Sequence, residues 1–202
     1  MPDILVKICG ITNVEDALYS VDQGADIVGV VLSEKSPRRG TPDLINRLIS
    51  LGIHTAGIYT DMESVRNIAS LEEYVQLHFP HGKEEISFVK EKLGRRVISV
   101  VFAYEEKSPL SAAHNKLMEG SDLVLLEYGK EGWASIHDSG MEIGKEHIGI
   151  AGKVSVENLK SLISYSPYFI DVSSSLEMYA GKKDHSKIRK FMEVFRAEEA
   201  AV

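Results

Sequence analysis

The chain has a single cysteine, Cys9, in 202 residues. A lone thiol excludes an intramolecular disulfide and any Cys-based zinc site, and the length is enough to bury a core without either. Long apolar runs are missing as well. No uninterrupted stretch approaches the ~18 residues of a membrane span, and the N-terminus carries no basic-then-apolar signal pattern. Basic charge is in deficit, with 23 Lys and Arg against 30 Asp and Glu and a formal net charge of -7. That balance argues against nonspecific nucleic-acid binding, while a local basic pocket for a phosphate stays compatible with it. A cytoplasmic protein that engages neither nucleic acid nor membrane is expected. No Pro- or Ser-rich linker breaks the chain, so residues 1–202 are read as one domain.

What is present is an alternation of short apolar runs with amphipathic ones. The candidate strands are Ile4–Cys9, Asp26–Leu32, His54–Tyr59, Tyr74–His78, Arg96–Phe102, Leu123–Glu127, His147–Ala151 and Tyr168–Val172. Most are nearly continuous Val- and Ile-rich segments, as strands covered on both faces are. Between them lie helix signals. Thr41 with Pro42 opens one that Gly52 stops, and Thr60 with Glu63 forms a capping box for another. Ser108-Pro109, Ser155 and Asp184 open three later helices, and Gly24, Gly94 and Gly120 close three. The segment Ser139–Glu146 after the sixth strand is too short for a full helix. Eight strands with about seven crossover helices imply an all-parallel sheet. A doubly wound open sheet is the competitor, but its Gly-x-Gly-x-x-Gly turn is absent, since Gly10 stands alone. The pattern therefore favours a small parallel (β/α)8 TIM barrel with a reduced helix after strand six.

In such a barrel the ligand site lies at the C-terminal ends of the strands. Strand one ends in Lys7-Ile8-Cys9-Gly10, which puts Lys7 and Cys9 on one face. A nearby ammonium favours the thiolate a cysteine needs to act as a base; the plainer reading is a small buried apolar residue. Strand six ends in Glu127, an acid/base candidate whose carboxyl burial would perturb, or simply a carboxylate reaching solvent. Strands seven and eight run into Ala151-Gly152-Lys153 and Asp171-Val172-Ser173-Ser174-Ser175. Small residues and hydroxyls at those two loops suit an anion, although singly they also suit ordinary tight turns. His78 and His81 make a weak metal pair, short of the three ligands a site needs. Lys35, Arg38 and Arg39 read as a solvated basic loop, and Lys182–Arg189 as mostly the polar face of a last helix whose apolar face is Ile188, Phe191, Met192 and Phe195.

Lys7-Ile8-Cys9-Gly10-Ile11-Thr12, then Ser36-Pro37-Arg38, Val75-Gln76-Leu77-His78, Ala151-Gly152, Asp171-Val172-Ser173-Ser174 with Glu177, and Gly181-Lys182-Lys183-Asp184 occur in that order. Together they resemble the phosphoribosylanthranilate isomerase family of tryptophan biosynthesis over roughly the entire chain. The resemblance implies an Amadori rearrangement of an N-phosphoribosyl aminoaldose to its 1-deoxyketose, a small phosphorylated substrate, no metal or organic cofactor, and a monomer or homodimer. It maps the general base onto Cys9 and the general acid onto Glu127, where the family has aspartate. It maps the anthranilate carboxylate onto Arg38 and the phosphate onto the Gly152 and Ser173–Ser174 loops. Lys7, Lys153 and Asp171 complete the expected substrate-binding set. The family's second glycine after strand seven is Lys153, its Ser-Ser-Gly ends in Ser175, and Phe79 follows His78. The loop after strand six reads Tyr128-Gly129-Lys130-Glu131-Gly132-Trp133, whose tryptophan would fold over the anthranilate ring or pack on a neighbouring loop. The alternatives are an isomerase for a different aminoribosyl phosphate and a non-catalytic barrel binding another phosphorylated ligand.

Overall fold

Short strands that are apolar on both faces are stable only where both faces are covered, and here closure covers them. The structure is a computed structural model that describes residues 4–128 and 146–201. Eight parallel strands form a closed barrel: β1 (Leu5–Cys9), β2 (Ile27–Val31), β3 (Thr55–Tyr59), β4 (Tyr74–Leu77), β5 (Arg96–Phe102), β6 (Leu123–Glu127), β7 (Ile148–Ala151) and β8 (Phe169–Val172). Each lies within one residue of its expected bounds. β8 pairs with β1, Phe169 opposite Leu5 and Asp171 opposite Lys7, so the ring closes and the open-sheet alternative falls.

The helices among the described residues are α1 (Val14–Asp22), α2 (Pro42–Ser50), α3 (Met62–Arg66), α4 (Lys83–Ser87), α5 (Pro109–Met118), α6 (Leu159–Ser164) and α7 (His185–Glu199). α4 continues as a π-helical turn, Phe88–Lys92. The α2 signals act as expected: Thr41 accepts from the Leu44 N–H at 3.1 Å and Pro42 takes the first helical position. The Thr60–Glu63 capping box does not form. Asp61 caps α3 instead, accepting from the Ser64 N–H at 2.7 Å, while the Thr60 hydroxyl bonds Ser33. A carboxylate is the stronger partner for a helix N-terminus, so it displaces its hydroxyl neighbour.

Inside the barrel, Ile27, Ala56, Ile98, Leu123, Leu125 and Phe169 pack together. A Cβ at Gly149 would collide with the Phe169 ring, so the glycine on β7 is what admits that ring to the barrel axis. The outward strand residues pack under the helices, with Ile188, Phe191, Met192 and Phe195 of α7 all buried. Lys182 and Lys183 are not on that helix. They form strand β10, antiparallel to β9 (Glu177–Tyr179), and Lys183 is buried with its Nζ 3.2 Å from Glu177 Oε1. Two buried carboxylates, Glu177 and Asp16, recruit this lysine pair: Lys182 Nζ lies 2.7 Å from Asp16 Oδ1. No helix among the described residues is long and apolar enough to cross a membrane. Trp133 and its glycine-flanked loop, and Ser139–Glu146 up to residue 145, lie outside the described residues.

Candidate active site

The C-terminal rim of the barrel holds a cavity of about 650 Å³. Cys9 from β1 and Glu127 from β6 both line it, as do Gly152, Lys153, Ser173 and Ser174 from the loops after β7 and β8, and Arg38 from the loop after β2. Residues as far apart in sequence as 9 and 174 thus meet at one mouth because each ends or follows a strand of the same closed ring. Lys7 does not line it. It is fully buried one layer deeper, its Nζ 2.8 Å from Asp171 Oδ2.

Cys9 sits where a strand neighbour has no side chain. A Cβ on Gly29 of β2 would stand 3.0 Å from the Cys9 sulfur, so glycine there leaves the thiol its place. Burial pushes the Cys9 thiol above its ordinary value; Lys7 and Lys183 pull it down and Asp171 adds to the rise. Lys7 favours the thiolate, as expected, but burial outweighs it. Desolvation is the larger effect at the sulfur, and Asp171 adds to it. For Lys7 itself burial opposes the charge, but Asp171 and Cys9 outweigh it and hold the ammonium. Lys183 goes the other way: burial lowers it despite Glu177.

Of the two readings of Glu127, its exposure lies nearer the carboxylate that reaches solvent. Its side chain is 31% exposed, and its Oε2 lies 3.3 Å from His78 Nε2, equally exposed. His78 and His81 do not converge: the His81 ring bonds the Ser99 hydroxyl at 2.7 Å and the Phe79 carbonyl at 2.6 Å. No group of three metal-ligating side chains occurs among the described residues.

Arg38 is gripped by Glu177, with Nε 2.8 Å from Oε1 and Nη2 2.8 Å from Oε2. This fork uses one edge of the guanidinium, and the Nη1 edge is what remains to offer an anion. Glu177 has burial against its ionisation, but Arg38, Lys183 and the Gly181 N–H together hold its carboxyl below the usual range. Arg39 instead pairs with Glu34 on the surface. At the anion loops, a Cβ on Gly152 would run into the Tyr128 backbone, and Gly152 and Lys153 have φ of +100° and +54°. The Ser173 hydroxyl donates to the Cys9 carbonyl at 3.0 Å, tying the loop after β8 to the end of β1.

Reading the sequence named four further groups without giving them these roles. Glu177 holds Arg38, Lys183 pairs with Glu177 and pulls the Cys9 thiol down, His78 partners Glu127, and Gln76 is a buried carboxamide on the cavity lining. All four lie in or beside family-like segments, and Gln76 carried a further signal, a polar side chain at an inward position between Val75 and Leu77 of an apolar strand.

The family whose sequence profile matches residues 6–194 is described as N-(5'phosphoribosyl)anthranilate (PRA) isomerase. An N-(5'-phosphoribosyl)anthranilate isomerase of Thermoplasma volcanium is 40% identical over 191 residues, 95% of each chain. One from Thermotoga maritima is 32% identical, covering 94% of this chain and 97% of its own. Among solved structures, monomers generated from the dimeric Thermotoga maritima enzyme superpose with a TM-score of 0.79 at 31% identity, covering 96% of this chain and 98% of that one. A phosphoribosyl anthranilate isomerase in complex with reduced 1-(o-carboxyphenylamino)-1-deoxyribulose 5-phosphate matches with a TM-score of 0.75 at 30% identity, covering 96% and 99%.

Proposed function

Since the chain belongs to the N-(5'-phosphoribosyl)anthranilate isomerase family, we propose that Cys9 is the general base and Glu127 the general acid of its reaction. That reaction is the Amadori rearrangement of N-(5-phosphoribosyl)anthranilate to its 1-deoxyribulose 5-phosphate product in tryptophan biosynthesis. Protonated Glu127 delivers its proton to the ribose ring oxygen as the nitrogen lone pair opens the ring to an iminium. The Cys9 thiolate then takes the C2′ proton, and the electron pair moves to give a neutral enolamine. As that species tautomerises, the C2′ hydroxyl loses its proton and C1′ gains one; a net transfer of one proton from Cys9 to Glu127 through solvent then returns acid and base to their starting states. The observation that carries this reading is one cavity lined by Cys9, Glu127 and both small-residue loops.

Gly152, Lys153, Ser173 and Ser174 take the phosphate, through backbone N–H groups, hydroxyls and the Lys153 charge. Arg38 offers its free edge to the anthranilate carboxylate. Lys7 and Asp171 serve the substrate unequally: Asp171 lines the cavity, whereas Lys7 acts through Asp171 and Cys9. Anchoring both ends of the substrate lets a thiol of unfavourable pKa act at high effective concentration. The same reading takes residues 1–202 as one barrel domain working in the cytoplasm as a monomer or homodimer. Turnover of phosphoribosylanthranilate by the purified protein tests it. Folded protein that binds the reduced product analogue without turnover would instead be a ligand-binding barrel.

A further inference from the structure

A buried polar atom without a partner is costly, and folded proteins rarely keep one without a use. Those on Thr55, Ser70, Glu72 and Arg95 belong to residues that do not line the cavity. Two others do line it. The Gln76 carboxamide oxygen and Asp171 Oδ1 have no hydrogen-bond partner among the described residues, and Gln76 and Asp171 are only 2% and 8% exposed. Gln76 stands on β4 and Asp171 on β8, four strands apart in a ring of eight, so they approach the cavity from opposite walls.

We propose that these two acceptors are the sugar subsite, with Gln76 a positioning residue for the oxygen at C2′ and Asp171 the partner of a neighbouring hydroxyl. The assignment rests on the isomerase reading and deepens it. Of the substrate's parts, the aromatic ring, the carboxylate and the phosphate dianion present no O–H donors, whereas each sugar carbon from C2′ to C4′ of the opened chain carries one. Cys9 lines the same cavity and removes the proton at C2′, so the hydroxylated carbons must pass between these walls.

The two acceptors differ in a way that divides the hydroxyls between them. Lys7 holds Asp171 through Oδ2, which leaves Oδ1 an acceptor only. Such a group suits a hydroxyl that survives the reaction. The oxygen at C2′ begins as a hydroxyl donor and ends as a ketone acceptor. A carboxamide can accept from the first through its oxygen and donate to the second through its NH2 group, whereas a carboxylate would repel the ketone. Ile58 and Ile98, which flank Gln76 in register on β3 and β5, leave it no polar neighbour across the sheet to turn to.

The test uses the purified whole protein and two probes, the reduced 1-(o-carboxyphenylamino)-1-deoxyribulose 5-phosphate and its counterpart lacking the C2′ hydroxyl. Wild type should bind the hydroxylated probe about tenfold more tightly, the effect of one neutral hydrogen bond to a buried group. Gln76→Met, which keeps the shape and removes the polar atoms, should lose that discrimination while binding the deoxy probe as wild type does. Equal binding of both probes by wild type overturns the assignment whether or not the variant folds. So does a folded Gln76→Met that still discriminates tenfold. If wild type binds neither probe and turns over no phosphoribosylanthranilate, the isomerase reading itself fails.

Discussion

Asp16 and Asp171 are both buried carboxylates beside a lysine, and they have opposite surroundings. Asp16, under the loop that enters α7, is fully satisfied. Its Oδ1 meets Lys182 Nζ at 2.7 Å and His185 Nε2 at 2.9 Å, and its Oδ2 accepts from the Lys183 N–H at 3.0 Å and from Asn13 Nδ2 at 2.8 Å. Asp171, inside the barrel, has Lys7 on one oxygen and no described partner on the other. The first arrangement locks α1 to the final helix. The second keeps polar capacity in reserve at a cavity wall. Completeness of hydrogen bonding, more than burial or charge, separates the carboxylate that holds the fold from the one that faces a ligand.

That contrast breaks if changes at the mouth cost stability and changes under α7 cost activity. The largest expected effect is at the sulfur. Cys9→Ala should lower kcat by about 10³-fold, the range for losing a positioned general base, with a melting temperature within about 2 °C of wild type. More than a tenth of wild-type kcat would remove Cys9 from the mechanism. Glu127→Gln should lower kcat by about 10²-fold and leave affinity for the reduced analogue within a few fold. A fully active Glu127→Gln protein would mean that another group donates the proton.

Asp16→Ala should do the reverse. Leaving Lys182, His185 and a buried N–H without their acceptor costs about 3 kcal/mol, read as a lower denaturation midpoint, with kcat of the folded protein unchanged within about twofold. The Asp16 carboxyl has burial against it but is held below its usual range by Lys182, the Lys183 N–H, Asn13 and His185. Its contribution is therefore fully present above about pH 3.9 and fades as pH falls through the lowered folded value. Wild type should show an acid loss of stability that Asp16→Ala shows less of.

The smallest effect is a divergence at alkaline pH. Burial raises the Cys9 thiol, so the folded state prefers the neutral form. Its stabilising contribution is whole below about pH 8.5, the unfolded value, and is lost as pH rises toward the folded one. The active thiolate grows over the same interval. kcat/KM should climb about 30-fold from about pH 7 to about pH 8.5, nearly tenfold per pH unit, as stability begins to fall. A rate that levels off below neutrality would contradict a buried thiol base.

How much of this was readable depended on how far apart the partners lie. Strand runs and the α2 signals are local, and β5 and β6 take their expected bounds, Arg96–Phe102 and Leu123–Glu127. Cys9 and Glu127 could be placed at strand ends from periodicity alone. What the residues next to Lys7 do not reveal is how deeply the thiol is buried and that Asp171, 164 positions on, pairs with Lys7 and adds to the rise. Lys182–Lys183 look like helix surface until Asp16 and Glu177 are known to be buried beside them. Arg38 likewise resembles a free surface arginine until Glu177, 139 positions away, grips it. The Thr60 error is of another kind. Both candidate caps were in view, and the stronger acceptor lay one residue later.

The ion pair between Lys7 and Asp171 also sets a timetable. The only carboxylate partner of Lys7 among the described residues is made 164 positions after it. At about 5–20 residues per second that interval is roughly 8–30 s. For all of it the first strand carries an ammonium that cannot be buried without great cost, so the early strands must wait, solvated, for the last. The charge at position 7 thus acts as a latch: it withholds closure from a barrel that still lacks β8 and releases it when that strand arrives.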